Sequence, residues 1–357
     1  MNRRPIILGD MKIHLIWFDS LGAKSSSLLI ETPDVKLLVD PGAAVMQPSY
    51  PLSDEEKIKL REEAFREIKK AASKVRDIFI SHYHYDHHTL PSEAEGMYKN
   101  KTLWIKNPNL WINASQWERS RLFLEELYDG EFREILIPPE KRELPDPLDE
   151  LPLVRKKRYG DYRARKRELL KKGRKWFENL KKDWFNNPWV KEFKTKEVDV
   201  RFADGKDLIR GETKIRFTNS LFHGIEYARL GWLLALVVEY KNHKFLYTSD
   251  LQGPQVEDYT EWIIRENPEV LVVDGPTTYL FGYMLNRVNL QRAIENMQRI
   301  IRETSTKVII YDHHNLREAL YRERLKDVYK TAEEEKKEVI TAAEWFGEEP
   351  LILRIKR

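Results

Sequence analysis

The feature that most constrains the fold of this chain is a histidine cluster that directly follows a short apolar run. The apolar residues 75–80 predict a β-strand, and a His-Tyr-His-Tyr-Asp-His sequence then starts at His82. Alternation along an extended segment places His82 and His84 on the same side, where both imidazoles can bind one cation. Asp86 and His87 then turn toward a second cation. Because loops at the carboxyl ends of strands are the usual position of sites in α/β folds, the cluster predicts a metal site on an α/β scaffold.

Most of the other histidines follow the same pattern. Seven of the nine lie just after an apolar, strand-like run or in the loop behind it, namely His82, His84, His87, His88, His223, His313 and His314. The chain contains no cysteine, so any metal must be held by His, Asp or Glu. His14 and His243 are predicted to be ordinary residues. Two plainer interpretations stay open, a purely structural histidine cluster and a site that binds metal without turnover.

The sequence around His82 resembles the HxHxDH signature of the metallo-β-lactamase superfamily, and the family's other landmarks follow in order across nearly the whole chain. The resemblance implies two groups of metal ligands, His82, His84 and His223 for one ion and Asp86, His87 and His313 for the other. It also implies that Asp250 lies between the ions and that His314 is the alternative to His313. Asp86 and Asp250 are the expected catalytic carboxylates, because a carboxylate can accept a proton from metal-bound water.

Three further residues are expected to support the ligands. Asp40 matches the family's aspartate that follows the opening strands. Asp312 precedes the last histidine pair and can orient one of these rings by accepting its second N–H group, although an exposed position at the strand end is equally consistent with the sequence. His88 is expected either to contact the ligands or to be structural.

The same resemblance implies the fold and the cofactors. We expect an α/β (α+β) chain folded as a four-layer αββα sandwich, with the metals at one edge of two facing sheets. A single domain is expected over residues 1–357, with a basic, largely helical insertion over residues 92–210 that borders or caps the site. Two divalent ions close together activate a bridging water and stabilise the leaving group. Zinc is the default ion for His and Asp donors, and manganese and iron fit the same donors.

The net positive charge of the chain is concentrated in one segment. Residues 155–182 contain 14 Lys and Arg against 3 Asp and Glu. An apolar stripe at helical spacing, which includes Phe177 and Trp184, predicts a helix that docks on the main body. The basic face has two interpretations, a solvated surface or a binding surface for an anionic partner. Because aromatic residues such as Tyr159 interleave the charges, single-stranded nucleic acid is one predicted partner.

These features favour a metal-dependent hydrolase of phosphodiesters, with nucleic acid as one substrate class. One alternative is a hydrolase of lactones, thioesters or other small esters, with the insertion as a lid. Another is a nucleic-acid-binding protein with a structural metal site. The chain resembles most the archaeal UPF0282 group of the superfamily. It departs from the β-CASP nucleases, since the stretch from Asp250 to His313 is too short for their extra domain, and from the tRNA 3′-processing enzymes, whose arm lies elsewhere.

Hydrophobic periodicity predicts the order of strands and helices. Strands are expected at residues 12–18, 27–31, 35–39, 75–80, 103–106, 134–137, 197–202, 214–218, 232–240, 244–248, 270–273 and 307–311. Helices are expected at residues 53–74, 155–184 and 289–304. The tail over residues 316–346 is expected to be helical, with a closing strand at residues 351–355.

Composition also indicates where the protein works. No apolar run approaches the ~20 residues that span a bilayer, and the first ten residues are too polar for a secretory leader. We therefore expect a cytoplasmic protein without a membrane partner. Abundant Lys, Arg and Glu together with the lack of Cys match the bias of hyperthermophile proteins, so a hot source is expected.

Overall fold

Two β-sheets face each other in the computed structural model, which describes residues 4–355. The strands, in chain order, are β1 (Ile6–Leu8), β2 (Met11–Phe18), β3 (Ser26–Glu31), β4 (Lys36–Val39), β5 (Asp77–Ile80), β6 (Lys101–Ile105), β7 (Leu136–Ile137), β8 (Trp189–Val190), β9 (Phe193–Lys194), β10 (Val198–Phe202), β11 (Asp207–Arg210), β12 (Thr213–Phe217), β13 (Leu221–Phe222), β14 (Trp232–Leu233), β15 (Leu236–Tyr240), β16 (His243–Tyr247), β17 (Val270–Asp274), β18 (Val308–Asp312) and β19 (Glu338–Ile340). The first sheet has the order β1-β2-β3-β4-β5-β6-β10-β9, and the second has the order β11-β12-β15-β16-β17-β18-β19. The short pairs β7 with β8 and β13 with β14 lie outside both sheets.

Each sheet changes from antiparallel to parallel pairing along its strand order. In the first sheet the change comes at β4 and β5, and in the second it comes at β16 and β17. Parallel strands are covered on both faces and therefore read as continuous apolar runs, as the fully buried Val-Leu-Val-Val-Asp sequence of β17 does. Because strands that run in the same direction end at the same edge, the loops after these strands are brought close together.

The helices cover the outer faces and the ends of the sheets. They are α1 (Asp54–Ala72), α2 (Ala114–Leu127), α3 (Pro152–Lys156), α4 (Arg163–Asn186), α5 (Glu257–Glu266), α6 (Arg287–Glu303), α7 (Tyr321–Arg324), α8 (Lys326–Glu334), α9 (Ala342–Trp345) and α10 (Leu351–Arg354). Short 3-10 turns lie at Asp19–Leu21, Phe132–Ile135, Gly160–Tyr162, Thr278–Leu280 and His314–Arg317. Helix α1 begins where the sequence predicted, because Ser53 and Glu56 form a capping box at its first turn.

Apolar side chains join these elements into four layers. The inner core lies between the sheets and contains residues of both, among them Leu37, Phe79, Val238 and Val272. On the outer side of the first sheet Ile68 of α1 is buried, and on the outer side of the second sheet Met297 of α6 is buried. The order of helix, sheet, sheet and helix confirms the predicted αββα sandwich.

The range predicted as an insertion, residues 92–210, contains strands of the sandwich as well as helices. β6 and β10 pair with each other in the first sheet, and β11 is an edge strand of the second sheet. The helical part lies between β6 and β9 and consists of α2, α3 and α4. The basic helix α4 starts at Arg163 rather than at residue 155, because the chain turns at Gly160, whose φ is +48°. Phe177 and Trp184 of its predicted apolar stripe are buried.

Three other predicted elements differ from the structure. The strand predicted at residues 232–240 is split, because Leu234 donates its N–H to the carbonyl of Ser81 and leaves β14 and β15 to pair with different partners. Only the second half of the strand predicted at residues 134–137 forms, as β7, which pairs with the short β8, and the first half belongs to a 3-10 turn. The tail is not wholly helical, because β19 extends the second sheet.

The predicted closing strand at residues 351–355 is also wrong. The segment forms the one-turn helix α10, which follows Pro350 and buries Ile352 beside Tyr50 and Tyr321. A short apolar run can form either a strand or a buried turn of helix, and here the helical turn buries Ile352. Among residues 4–355, none of the helices combines the length and the apolar character needed to cross a membrane.

Candidate metal centre

The predicted ligands converge at the edge where parallel strands of both sheets end. The strands and the residues that follow them are β4 with Asp40, β5 with residues 82–87, β16 with Asp250, β18 with His313 and β13 with His223. Most of these side chains are fully buried, and His84 and Asp86 are partly exposed. The fold thus brings residues from distant parts of the sequence, from His82 to His313, close together.

The loop that carries His223 is held in place by buried charges. Glu226, three residues further on, forms ion pairs with Lys166 of α4 and with Arg292 of α6. Arg292 also pairs with Glu257 of α5, at 2.7 Å. All four side chains lie beneath the surface, and every charge has an opposite charge beside it. We call these four residues the Glu226 cluster, and it fixes the His223 loop between the insertion and the second sheet.

The first group of candidate ligands consists of His82, His84, His223 and Asp250, whose donor atoms lie within 4.8 Å of one another. His82 Nε2 lies 3.1 Å from Nδ1 of His84 and 3.6 Å from Oδ2 of Asp250. His223 Nε2 lies 3.3 Å from the same carboxylate oxygen. Three imidazole nitrogens and a carboxylate oxygen are a common donor set for zinc and related divalent ions.

The second group consists of Asp86, His87 and His313, again with donor atoms within 4.8 Å of one another. His87 Nε2 lies 3.0 Å from Oδ1 of Asp250, and His313 Nε2 lies 3.5 Å from that oxygen. His313 Nε2 is also 3.6 Å from Oδ2 of Asp86. Asp250 therefore presents Oδ2 to the first group and Oδ1 to the second, which is the intermediate position that the resemblance implied.

Several buried donor atoms of both groups lack a hydrogen-bond partner among the described residues. They are His87 Nε2, both ring nitrogens of His223 and both carboxylate oxygens of Asp250. Leaving buried polar atoms unpaired costs about 1–3 kcal/mol each, so such a concentration needs an explanation. A pair of divalent cations fits these residues, since unpaired nitrogen and oxygen atoms of the right types converge from both sides of Asp250.

Asp40 supports the centre as predicted from its position after the opening strands. One of its oxygens accepts the backbone N–H of Ser81, and the other accepts the hydroxyl of Tyr247, each at 2.7 Å. The second oxygen also lies 2.8 Å from Nδ1 of His87, which turns the Nε2 atom of that ring toward Asp250. The backbone of Asp40 has φ of +46°, and the tight turn it makes brings the carboxylate back under the histidine loop.

Two other aspartates orient the last histidines, and the sequence did not reveal either. Asp19 Oδ1 lies 2.8 Å from Nδ1 of His313, and Asp274 Oδ2 lies 2.8 Å from Nδ1 of His314. Asp312, which was expected to hold a ring, instead accepts backbone N–H groups of Ser20 and His313. Its geometry excludes the ring because its oxygens are used by the backbone at the strand end. Asp19 and Asp274 each stand at the end of a strand, as Asp40 does, and that shared placement is the signal that could have found them.

His314 and His88 differ from the other histidines in what they face. His314 belongs to a third group with Asp250 and His313, so the structure brings both histidines to Asp250. Only His313 also faces Asp86, which favours it for the second group. The backbone of His313 is in an unusual region, with φ of +99°, and such strain is often found at functional sites. His88 turns away, with Nδ1 3.0 Å from the carbonyl of His84.

Two positively charged side chains border the second group of candidate ligands. Arg317 is buried, and its Nη2 atom donates to Oδ2 of Asp86 at 3.0 Å while its Nε atom donates to Asp19 at 2.6 Å. Lys24 lies in the same electrostatic neighbourhood, where burial and the Arg317 charge lower its pKa and the carboxylates of Asp86 and Asp19 oppose that change. Positive charge beside the centre favours an anionic ligand.

The surroundings divide the histidines into two protonation classes. Burial lowers the pKa of His82 well below its usual value and that of His84 to about 3, so these rings are neutral and able to bind a metal at pH 7. Burial acts in the same direction on His87, but the carboxylates of Asp250 and Asp40 outweigh it and raise its pKa to about 10. A cation that binds to the second group therefore displaces a proton from His87.

Comparisons with known proteins show which chains this one is similar to. A family model described as the metallo-β-lactamase superfamily matches residues 22–88. A UPF0282 protein of Methanopyrus kandleri is 32% identical over 97% of this chain and 98% of its own length. A UPF0282 protein of Korarchaeum cryptofilum is 29% identical, with 97% of this chain and 93% of the relative covered. Among solved structures, the metallo-β-lactamase fold protein YhfI from Bacillus subtilis is 15% identical, with a TM-score of 0.43 over 93% of this chain and 95% of that one.

Proposed function

The chain belongs to the UPF0282 family and has the fold of the metal-dependent hydrolases of the metallo-β-lactamase superfamily, and from this premise we propose that it hydrolyses phosphodiesters with two divalent cations. The observation that carries the proposal is the position of Asp250. Both of its oxygens are buried and unpaired, and each faces histidine nitrogens of a different group. A carboxylate in this position suits a bridge between two cations.

The residues present assign a role to each group. His82, His84 and His223 would hold one cation, and Asp86, His87 and His313 would hold the other. When bound, such a pair lowers the pKa of a water molecule and polarises the oxygen of the substrate. Zinc is the proposed ion, with manganese and iron as alternatives that use the same donors.

Asp86 is the carboxylate of the centre best placed to exchange a proton with solvent. Its side chain is 13% exposed, whereas that of Asp250 is 1% exposed. Arg317 donates to one oxygen of Asp86 and thereby fixes the direction of the carboxylate. Arg317 would therefore act as a positioning residue, and Asp86, at the more exposed edge of the centre, would be the carboxylate available to take up a proton.

A phosphodiester is the proposed substrate because positive charge surrounds the centre. Arg317 and Lys24 border the second group, and the basic helix α4 packs on the loop that carries His223 through the contact of Lys166 with Glu226. Anionic substrates are concentrated near such a surface. A neutral ester or lactone would gain nothing from these cations.

Metal content and hydrolysis of bis(p-nitrophenyl) phosphate, measured together, test the proposal. The wild-type protein should contain about two ions per chain and hydrolyse the diester. His84→Ala should lose at least one ion and reduce the rate by about 100-fold or more, because a ligand contributes at least as much as the groups that orient ligands. His14→Ala is the matched control, since His14 lies on β2 and pairs with Glu31 at 3.5 Å, outside both groups.

The outcomes separate the parts of the proposal. A purified protein without metal, or equal rates for wild type and His84→Ala, would refute the two-cation centre. Metal without diester hydrolysis, combined with turnover of p-nitrophenyl acetate or of a lactone, would refute the phosphodiester and assign the centre to small esters. Full coordination of the ions by protein, with no turnover of any of these substrates, would indicate a structural site.

The proposal retains two expectations from composition. A cytoplasmic location and a hot source are both compatible with a centre that uses no thiolates. A thermal melting midpoint within the range of ordinary mesophile domains, about 45–65 °C, would contradict the second expectation.

A further inference from the structure

Half of the Lys and Arg side chains in the basic segment form no ion pair with the described residues. Seven of the 14 Lys and Arg in residues 155–182 form ion pairs, as Arg165 does with Glu168 and Arg174 does with Asp146. The other seven make no salt bridge or side-chain hydrogen bond within residues 4–355, and they are Lys156, Arg158, Arg163, Arg167, Lys171, Lys175 and Lys182. Four of these, Arg163, Arg167, Lys171 and Lys175, repeat at every fourth position of α4. We call them the cation row.

The cation row runs along the exposed side of the helix. Residues four apart on an α-helix lie one above the other, about 6 Å apart along the axis, so the row is about 18 Å long. All four side chains are exposed, whereas Phe177, Leu180 and Trp184 on the other side are buried. Like charges at this spacing repel each other and weaken a helix. The row therefore does not stabilise α4, although acids on and near this helix neutralise other cations.

An exposed aromatic loop lies next to the start of the row. Residues 279–286 connect β17 to α6, and within them Tyr283 is 86% exposed, Met284 is 62% exposed and Phe281 is 39% exposed. The loop is an ordered turn, in which the N–H groups of Tyr283 and Met284 both donate to the carbonyl of Leu280 at 3.0 Å. Large apolar side chains held in water by an ordered turn indicate a binding surface.

This loop connects the metal centre to the cation row. At one end Arg317, which donates to Asp86, lies 5.8 Å from the ring centroid of Tyr279. At the other end the side-chain amide of Asn286 donates to the hydroxyl of Tyr162 at 3.1 Å, and Tyr162 immediately precedes α4. Metal centre, aromatic loop and cation row therefore form one path of neighbouring side chains, in which Arg317 is buried and the tip of the loop and the row are exposed.

We propose that this path binds a single strand of nucleic acid, with phosphates on the cation row and bases on the aromatic loop, so that a phosphodiester of the strand reaches the metal centre. The inference rests on the proposed function, whose substrate class it narrows. A cationic track beside exposed aromatic rings is the common design of proteins that bind single strands without sequence preference. Tyr283 and Phe281 supply the stacking surface, and the row supplies the contacts to the backbone.

The arrangement fits a strand better than a membrane surface. A helix that binds lipid lays its apolar side into the bilayer, but the apolar side of α4 is docked on the protein through Phe177 and Trp184. The exposed side of α4 presents charged and polar residues, with Ala164 as its only apolar member among the described positions. The aromatic loop also adjoins the proposed catalytic residues, where a lipid surface would serve no reaction.

Fluorescence anisotropy with a labelled single strand of about 16 nucleotides tests the inference. The His84→Ala chain is used so that no strand is cleaved during the titration. Replacing the whole row in this background, with Arg163→Gln, Arg167→Gln, Lys171→Gln and Lys175→Gln, should weaken binding at least about tenfold and lower the slope of log K against log salt by about 3. Tyr283→Ala should weaken binding roughly tenfold without changing that slope.

A matched control removes the same number of charges from the same segment. Arg155→Gln, Arg165→Gln, Lys172→Gln and Arg174→Gln together eliminate cations that are already paired with acids. This control should weaken binding much less than the row variant. Equal losses would overturn the inference, because they would show that only the net charge matters.

Two further results would overturn it. The first is no binding of the single strand at low salt, and the second is binding to vesicles that contain phosphatidylserine without binding to the strand. Failure here is distinguishable from failure of the proposed function. Binding is measured without turnover, whereas the two-cation centre is judged by metal content and by hydrolysis of the small diester, which is too short to reach the row.

Discussion

The metal centre and the Glu226 cluster share one loop and treat buried polar atoms in opposite ways. At the metal centre, His223 and Asp250 bury nitrogen and oxygen atoms that have no hydrogen-bond partner among the described residues. Three residues further along the loop, Glu226 is matched on both sides by Lys166 and Arg292. His223, Asp250 and Glu226 are all buried, so burial alone does not separate the two regions. The two regions differ in how completely their polar atoms are paired. The Glu226 cluster has its partners within the chain, whereas the unpaired atoms of the metal centre need a ligand from outside the chain.

This contrast suggests how buried charged residues in other proteins can be classified as structural or as ligand-binding. A paired cluster is expensive to break but contributes no chemistry, since every lone pair is already used. An unpaired convergence of imidazoles and carboxylates is costly to keep, and a ligand must offset the cost. The two regions therefore predict different responses to the same kind of substitution, an acid changed to its amide.

The largest effect is expected from Asp250→Asn. The amide cannot serve both groups as an anionic bridge, so hydrolysis of the diester should fall by more than about 1,000-fold. The free energy of unfolding of the metal-free protein should change by less than in Glu226→Gln, because His87, which lies 3.0 Å from Asp250, can release its proton when the carboxylate charge is lost, whereas Arg292 cannot. Metal analysis, steady-state rates and urea denaturation in the presence of a chelator measure these quantities. A large loss of stability in the metal-free state would remove the distinction between the two regions.

The reverse pattern is expected from Glu226→Gln. Removing this charge leaves Lys166 and Arg292 with an unbalanced positive charge in the interior, which should cost about 3–5 kcal/mol of unfolding free energy. The loss should appear equally with and without metal when measured by urea denaturation. Glu168→Gln is the control, because Glu168 pairs with exposed cations of α4 and should change stability by about 1 kcal/mol or less. A stable Glu226→Gln protein would show that the cluster is not needed for the fold.

A smaller effect on the free energy of unfolding is expected when the pH is lowered. Burial alone would raise the pKa of Glu226, but the charges of Arg292 and Lys166 outweigh it and lower the pKa from 4.5 to about 2. A depressed pKa in the folded state contributes stability above the unfolded pKa, and that contribution is lost as the pH falls from about 5 toward 2. The difference in unfolding free energy between wild type and Glu226→Gln should therefore shrink across this interval. A difference that stays constant with pH would contradict the assignment of a charged Glu226.

Much of the fold and of the centre was accessible from the sequence because the signals are local. Apolar runs ending in a polar residue located β4, β5, β16, β17 and β18, and the predicted αββα sandwich is confirmed. The histidine motif was found because it follows such a run, and Asp40 and Asp250 were identified because they match landmarks of the superfamily that the motif resembles. The structure brings these residues together, while their roles as metal ligands stay predictions.

The residues that sequence reasoning missed depend on contacts between distant segments. Asp19 orients His313 across 294 positions of the chain, and no spacing rule connects them. Nothing in the sequence singles out Glu226, because its partners Lys166 and Arg292 lie 60 and 66 positions away. Residues 351–355 were expected to form a strand because they are a short apolar run, but burial of Ile352 by one helical turn decided the outcome.

The Glu226 cluster also implies that the His223 loop reaches its final position late during folding. The partners of Glu226 lie 60 positions before it and 66 positions after it, so the loop cannot close until both α4 and α6 have docked. His223 takes its place only at that moment, although the His82 motif is already complete early in the chain. A ribosome-bound fragment that ends before α6 would offer histidines without the geometry to retain an ion. If the chain binds metal as proposed, we expect uptake to be a late step of maturation, because the ligands come together only when both helices have docked.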